Sequence, residues 1–363
     1  MLTHSIKEIC FFKLRYILIG FILFFVAALV FIINGLANGL AAENISSLKN
    51  MNAEAFYIAK DANNRIEQSR FSISDVEKIS KDDRVEPLGL QMLSLKKSGS
   101  NQKVDVTIMA VHPKGFLMPE VTEGKSIATS KEPQLVVNNS IKDDGVKIGD
   151  ELYEENSETT FTVVGFTEKE TYSHTPVAFI SLKSWEDMLG SQVKPYYNAL
   201  VLKNDNQVVK SDVKGSLGSG VWVSTDDVIK GMPSHQAEQT SLNMMLIFLI
   251  IIAVFVLGAF FYIMTIQKMN QFGVLKAIGA KNGYLIGTTM LQVFFISVVS
   301  ISVAVGFTKL MQMLLPSSMP FIFNGVLILT YAGILMVVSM LGALLSTVNI
   351  IKVDPLQAIG RVE

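Results

Sequence analysis

Cysteine is almost missing: Cys10 is the only one in 363 residues. That excludes a disulfide framework and a cysteine-built metal site. A middle section of about 200 residues can do without disulfides, because a core of that size stabilises itself. Histidine is scarce and scattered, at His4, His112, His174 and His235. Charge is thin as well, at 17% of residues, against about 25% in soluble domains. The net charge of −1 leaves no basic surplus for a nucleic-acid partner. No G-x-x-x-x-G-K-[ST] loop, G-x-S-x-G elbow or H-E-x-x-H helix occurs, so neither ATP binding nor hydrolytic chemistry is visible.

The charge deficit is local. Apolar residues concentrate near the N-terminus and in the last third, and the middle reads as an ordinary soluble domain. Apolar runs cover 16–36, 242–266, 284–315 and 321–350. Roughly 20 helical residues cross a hydrocarbon core, so four spans are expected. The third run is longer than a span needs, which implies tilt or a surface start. A cleaved signal peptide is the competing reading of the first run, since small residues follow at 39–42. Signal h-regions are shorter, about 7–15 residues, so a retained helix is expected.

Basic residues set the orientation. Lys7, Lys13 and Arg15 precede the first span, Lys268, Lys276 and Lys281 sit between the second and third, and Lys352 and Arg361 follow the fourth. The connection at 316–320 carries no charge. The positive-inside rule puts both termini in the cytoplasm and the 38–240 stretch outside. The expected division is 1–37, N-terminus and first span; 38–240, an extracellular domain; and 241–363, three spans and a cytoplasmic tail.

The middle stretch mixes signals. Runs rich in β-branched and aromatic residues at 55–59, 88–95, 104–111, 134–137, 160–166, 177–181 and 199–202 read as strands. The S-x-x-E pattern from Ser74 to Glu77 reads as a capping box opening a helix to about Ser80. Ser184 is expected to cap a helix to Leu189, and Ser224 another to Lys230. The fold class is therefore a membrane protein of four transmembrane α-helices, with an α+β extracellular domain between helices 1 and 2.

Work done by such a chain needs a partner subunit or an ion gradient. Lys309 is the main charge within the spans, and it can snorkel to the surface. With no relay of buried carboxylates, an external motor is favoured. The segment between the second and third spans, KMNQFGVLKAIGAK at 268–281, is short and amphipathic. It puts Phe272, Leu275, Ala277 and Ile278 toward apolar surroundings and Lys276 and Lys281 toward water or an acidic partner. An interfacial helix resting on lipid is the plain alternative.

The stretch FGVLKAIGAK resembles the signature of FtsX/MacB-type ABC transporter permeases. DPLQAIG at 354–360 is similar to that family's closing motif, and the order of one helix, one domain and three helices agrees. The resemblance implies that Phe272, Gly273, Leu275, Lys276, Ile278 and Gly279 couple to a separate ABC ATPase present in two copies. It also implies that the chain pairs with a second copy, and that ATP is handled by the partner rather than by an enzyme activity here. Within the family, GLANGL and ENIS at 35–40 and 43–46, QAEQ and LNMM at 236–239 and 242–245, and AFFYIMTIQK at 259–268 resemble the haem-exporting permeases of Gram-positive bacteria. That implies haem as substrate, with no intrinsic cofactor and no metal beyond the haem iron. The wider family also exports antimicrobial peptides, extracts lipid-anchored substrates, or signals to cell-wall hydrolases without transport.

Haem is apolar, carries two carboxylates, and accepts Met, His or Tyr as axial ligands. Read with the resemblance, Glu43 beyond the first span and Glu238, Met244 and Met245 at the start of the second form a ligand set at the outer leaflet. Tyr172 and His174 match a Tyr-x-His of the haem exporters in the corresponding loop. The plain alternative is solvated glutamates, packing methionines and an exposed loop pair. Asn34-Gly35 and Asn38-Gly39 either end the first helix or let another backbone approach it.

Overall fold

In the computed structural model the described residues are 2–79, 82–99, 102–128, 132–190, 194–315 and 319–347. The closing motif at 354–360, with Lys352 and Arg361, lies outside them. The chain divides into two compact units, Met1–Leu40 with Thr240–Glu363, and Ala41–Gln239.

The Ala41–Gln239 unit is built on one mixed sheet. Its strands run in the order Gly220–Ser224, Ala55–Ala59, Ala199–Leu202, Val85–Lys97, Lys103–Val111, Thr175–Ser181, Gln134–Asn138, Thr159–Thr167 and Glu123–Gly124. Two neighbouring pairs are parallel: Thr175–Ser181 with Lys103–Val111, and Gln134–Asn138 with Thr159–Thr167. The apolar runs are continuous because both faces are covered. Tyr57 faces one core with Val106, Ile108, Leu135 and Trp185. Its neighbours Phe56 and Ile58 face a second core with Met109, Val136 and Phe179. Successive strand side chains point to opposite faces, so a strand buried on both sides shows no polar alternation. Helices Leu182–Leu189 and Gln207–Leu217 supply Trp185, Met188, Val209 and Val213 to the first core. Ser46–Asn50 and Thr225–Gly231 supply Leu48, Val228 and Ile229 to the second.

Two helix starts in this unit differ from the sequence expectation. The pattern at 74–77 does not act as a capping box. The helical turn is Ile73–Val76, and Ser72 and Ser74 bond each other instead, at 2.8 Å. The preceding strand Phe71–Ser72 pairs with Tyr196–Tyr197, and this brings the turn in early. Likewise Ser181, not Ser184, caps Leu182–Leu189, with its Oγ accepting from Ser184 N at 3.0 Å. Ser224 caps Thr225–Gly231 as expected. The helix Gln207–Leu217, capped by Asn206, went unread because its sequence is mostly polar.

The other unit holds four helices long and apolar enough to cross a membrane: Lys13–Asn44, Pro233–Gln267, Asn282–Leu314 and Gly325–Ser346. They are apolar all round, so periodicity alone does not show which face is inward. Packing does. Tyr16, Ile19, Leu23, Ala27 and Val30 form one stripe, and Ala253, Leu257, Phe261 and Met264 another. Their spacing of three and four residues is that of one helix face. Small and hydroxylated residues tighten the bundle: Thr265 and Ser346 share a hydrogen bond of 2.8 Å between the second and fourth spans. Lys309 is exposed, with its ammonium 5.0 Å from the Phe323 ring and bonded to Gln312.

The first span runs on to Asn44 instead of ending near residue 36. Its Asn-Gly pairs serve approach. A Cβ on Gly39 would stand 2.0 Å from the Pro320 carbonyl oxygen, and one on Gly35 would stand 2.4 Å from the Phe321 ring. The Gly35 carbonyl also accepts from Ile322 N at 3.0 Å. Residues 321–324 therefore lie against the first span as non-helical backbone, and the fourth helix starts at Gly325, not at 321. Asn324 caps it, accepting from Val326 N and Leu327 N.

Candidate functional site

Glu43 and Asn44 end the helix of the first span, and Glu238 lies in the second turn of the helix that becomes the second span. Within the Ala41–Gln239 unit these ends meet a hairpin. Thr171–Tyr172 pairs with Thr175–Ser181 through a two-residue turn, Ser173-His174. Both turn residues have positive φ, 51° and 65°. That is the primed turn suited to tight hairpins, where Asn-Gly is usual. A Ser-His pair there is a local strain held by its surroundings.

The surroundings are polar and specific. His174 Nε2 stands 3.3 Å from Glu238 Oε2, which also accepts from Asn44 Nδ2 at 2.9 Å. Asn44 is buried, and its Oδ1 accepts from Ser234 Oγ at 3.2 Å. Ser173 closes the ring, donating its hydroxyl to Ser234 and its N–H to the Asn44 carbonyl at 2.8 Å. Thr171 Oγ1 donates to the Glu43 carbonyl. The Glu43 side chain is exposed and in no ion pair among the described residues. His235 adds a buried Nδ1 without a hydrogen-bond partner among the described residues. The sequence signal for it is its spacing of one turn from Glu238.

The expected site residues thus separate. Glu43, Glu238 and His174 are brought together. Tyr172 shares the hairpin but points into the core, fully buried, with its hydroxyl donating to Glu67 at 2.5 Å. Tyr172 is the last strand residue before the turn and faces the core, whereas His174 lies in the left-handed turn itself, outside the strand alternation. Burial, with the Glu67 carboxylate beside it, raises the Tyr172 hydroxyl far above its ordinary range. Met244 and Met245 belong to the membrane unit, where both are exposed.

The segment after the second span forms a helix, Met269–Ala277, ended by Gly279 at φ 94°. Ala280 N donates to Leu275 O, and Gly279 N to Lys276 O. This is a Schellman closure, and its left-handed residue favours glycine. Phe272 is buried against Leu285, with Leu275, Ala280 and Tyr284 around them. The outward apolar residues are Val274 and Ile278, 52% and 77% exposed. So Phe272 anchors this elbow to the third span, and Ile278 is its exposed tip.

The model of the FtsX-like permease C-terminal domain matches residues 243–355. A protein of Staphylococcus haemolyticus named as a hemin transport system permease, HrtB, is 32% identical over 98% of this chain and 99% of its own length. One of Staphylococcus epidermidis with the same name is 34% identical over 98% of each chain. The chain belongs to the FtsX-like ABC transporter permeases. An uncharacterised ABC transporter permease of Mycobacterium tuberculosis is 22% identical over 91% of this chain and 90% of its own. The chain is therefore a membrane-embedded component of a transporter rather than an enzyme.

Two further features of this permease were not expected from its sequence. In the membrane unit Lys268 is fully buried and pairs with Glu8 at 2.5 Å. The charge pattern marks it only as one of the basic residues on the inner side and gives no sign of its burial. The sequence signal was Glu8, the one acidic residue before Glu43. In the other unit Glu170 is buried beside a small cavity of about 210 Å³ and accepts from Asn50 Nδ2 at 3.0 Å. Burial outweighs that bond and pushes the carboxyl up to about 7. Between the unfolded value near 4.5 and about 7, the folded chain holds a proton the unfolded chain has lost. Stability therefore falls as pH rises through that window. Glu170→Gln in the full chain in detergent should stabilise the fold at pH 8, by up to roughly 3 kcal/mol at about 1.4 kcal/mol per pKa unit, and leave its stability near unchanged at pH 4.5. Equal effects at both pH values would count against a buried neutral acid.

Proposed function

We propose that this permease is half of an ATP-driven exporter that expels haem outward from the membrane. The observation that carries the reading is the gathering of Glu43, Glu238 and His174 where the first and second span helices end. It supplies carboxylates and an imidazole; family likeness adds Met244 and Met245 of the other unit as candidate ligands. An imidazole or methionine suits haem iron, and Asn44 and Ser234 hold Glu238 and the hairpin in place. The names of the staphylococcal relatives point to the same cargo. Tyr172 is assigned the support of the hairpin that holds His174 rather than contact with cargo.

ATP hydrolysis is assigned to a separate ABC subunit in two copies, gripping two copies of this chain, since a two-fold motor matches a two-fold permease. The charge pattern supports cytoplasmic termini, a cytoplasmic elbow and an extracellular 38–240 domain. Val274 and Ile278 would seat in the ATPase, with Lys276 beside them, Gly273 and Gly279 shaping the elbow, and Phe272 and Leu275 passing its motion to the third span. Motion follows only if ATP binds the closed arrangement better than the open one. The test is growth in toxic haem, with and without this chain and its co-purifying ATPase. Tolerance that depends on both supports the reading. Tolerance unchanged by loss of the chain overturns it.

A further inference from the structure

Lys268 links the second span to the elbow helix, and all three of its ammonium protons are used. They go to Glu8 Oε1 at 2.5 Å, Tyr16 Oη at 2.6 Å and Gln292 Oε1 at 2.7 Å. Gln292 Nε2 donates to the other Glu8 oxygen at 2.7 Å, and the Tyr16 hydroxyl to Gln292 Oε1 at 3.0 Å. The four residues come from four elements: the N-terminal helix Leu2–Phe11, the first span, the start of the elbow, and the third span. Ser5 Oγ donates to the Thr288 carbonyl and ties the N-terminal helix to the third span a second time.

A buried ion pair is a poor way to gain stability, because apolar residues of similar volume often do as well or better. What it gives is a single allowed arrangement, since any slip leaves a charge unpaired in an apolar medium. Here the pinned residue is the peptide neighbour of Met269, where the elbow helix begins. Beside the elbow lies a cavity of about 370 Å³, lined by Glu8, Phe12, Phe272, Leu275, Leu285 and Thr288 among others. The elbow is thus fixed at one end and has open space along its flank.

We propose that the Lys268–Glu8 pair, completed by Tyr16 and Gln292, is a latch that transmits elbow motion. It makes the elbow, the N-terminal helix and the first and third spans move together, with Lys268 as the pivot. Lys268 and Glu8 are then positioning residues for coupling. The inference rests on the ATPase-coupling reading above and is independent of the cargo.

The experiment measures permease-dependent ATP turnover of the reconstituted complex together with yield and thermal midpoint. Glu8→Gln/Lys268→Met keeps side-chain volume and leaves no lone charge. It should assemble with a near wild-type midpoint yet lose permease-dependent turnover at least tenfold. Tyr16→Phe removes one hydroxyl, folds, and should lose about threefold. Restored turnover in Glu8→Lys/Lys268→Glu would add support. Wild-type turnover in the neutral double variant or in Tyr16→Phe would overturn the latch. A wild-type complex with no permease-dependent turnover overturns the coupling reading and the latch with it. Normal turnover without haem movement overturns only the cargo.

Discussion

Gly39→Ala is expected to be the most damaging single-methyl change in the membrane unit. The new Cβ would meet the Pro320 carbonyl oxygen at 2.0 Å and its carbon at 2.3 Å. Both are backbone atoms, so the whole 319–324 segment must move, and with it the Asn324 cap of the fourth helix. Overpacking of this kind costs about 1–3 kcal/mol, more where backbone must shift. Gly35→Ala meets the Phe321 ring edge at 2.4 Å. That is the end of a side chain able to rotate, so the loss should be smaller. Gly306, with nothing within 4 Å of an added Cβ, is the control: Ala there should be neutral or slightly stabilising. Thermal midpoints in detergent should therefore rank Gly306→Ala, Gly35→Ala, Gly39→Ala from highest to lowest. A Gly39→Ala midpoint equal to wild type would show that the first span does not pack against this backbone.

The second large effect separates two glutamates that look alike in sequence. Glu238 accepts from the buried Asn44 amide and faces His174. Glu238→Ala leaves that amide without its acceptor, which destabilises by about 1–3 kcal/mol. It should also weaken haem binding, read as a Soret-band shift, by tenfold or more. Glu43→Ala should weaken the Soret shift while leaving the midpoint within about 0.5 kcal/mol, because an exposed, unpaired side chain contributes little. If both changes lower stability equally and neither changes the Soret titration, the glutamates are structural and the proposed site is wrong.

Much of the architecture was legible because its causes are local. Four apolar runs, seven strand-like runs and the elbow motif each announce themselves over a few residues. Boundaries were less legible where tertiary contacts decide them. Residues 321–324 look like more membrane helix, yet they lie against the glycine face of the first span as non-helical chain. Ser74 and Ser184 carry cap-like patterns, but strand pairing upstream moves each helix start. At the candidate site, family likeness groups Glu43 and Glu238 with Met244 and Met245 and points to His174 separately; nothing in the sequence joins His174 to Glu238. The ring of Asn44, Ser173 and Ser234 that joins them is made of residues too common to stand out. Tyr172 and His174 look like one exposed pair in sequence, yet Tyr172 ends a strand and is buried while His174 lies in the turn that follows. The pairing of Lys268 was not legible, since its partner Glu8 lies 260 positions away.

The most direct measurement is haem movement in proteoliposomes carrying this chain and its co-purifying ATPase. Haem should leave the bilayer only when ATP is supplied, and the rate should fall with Glu238→Ala. Undiminished ATP turnover by the complex with no change in membrane haem would contradict the account.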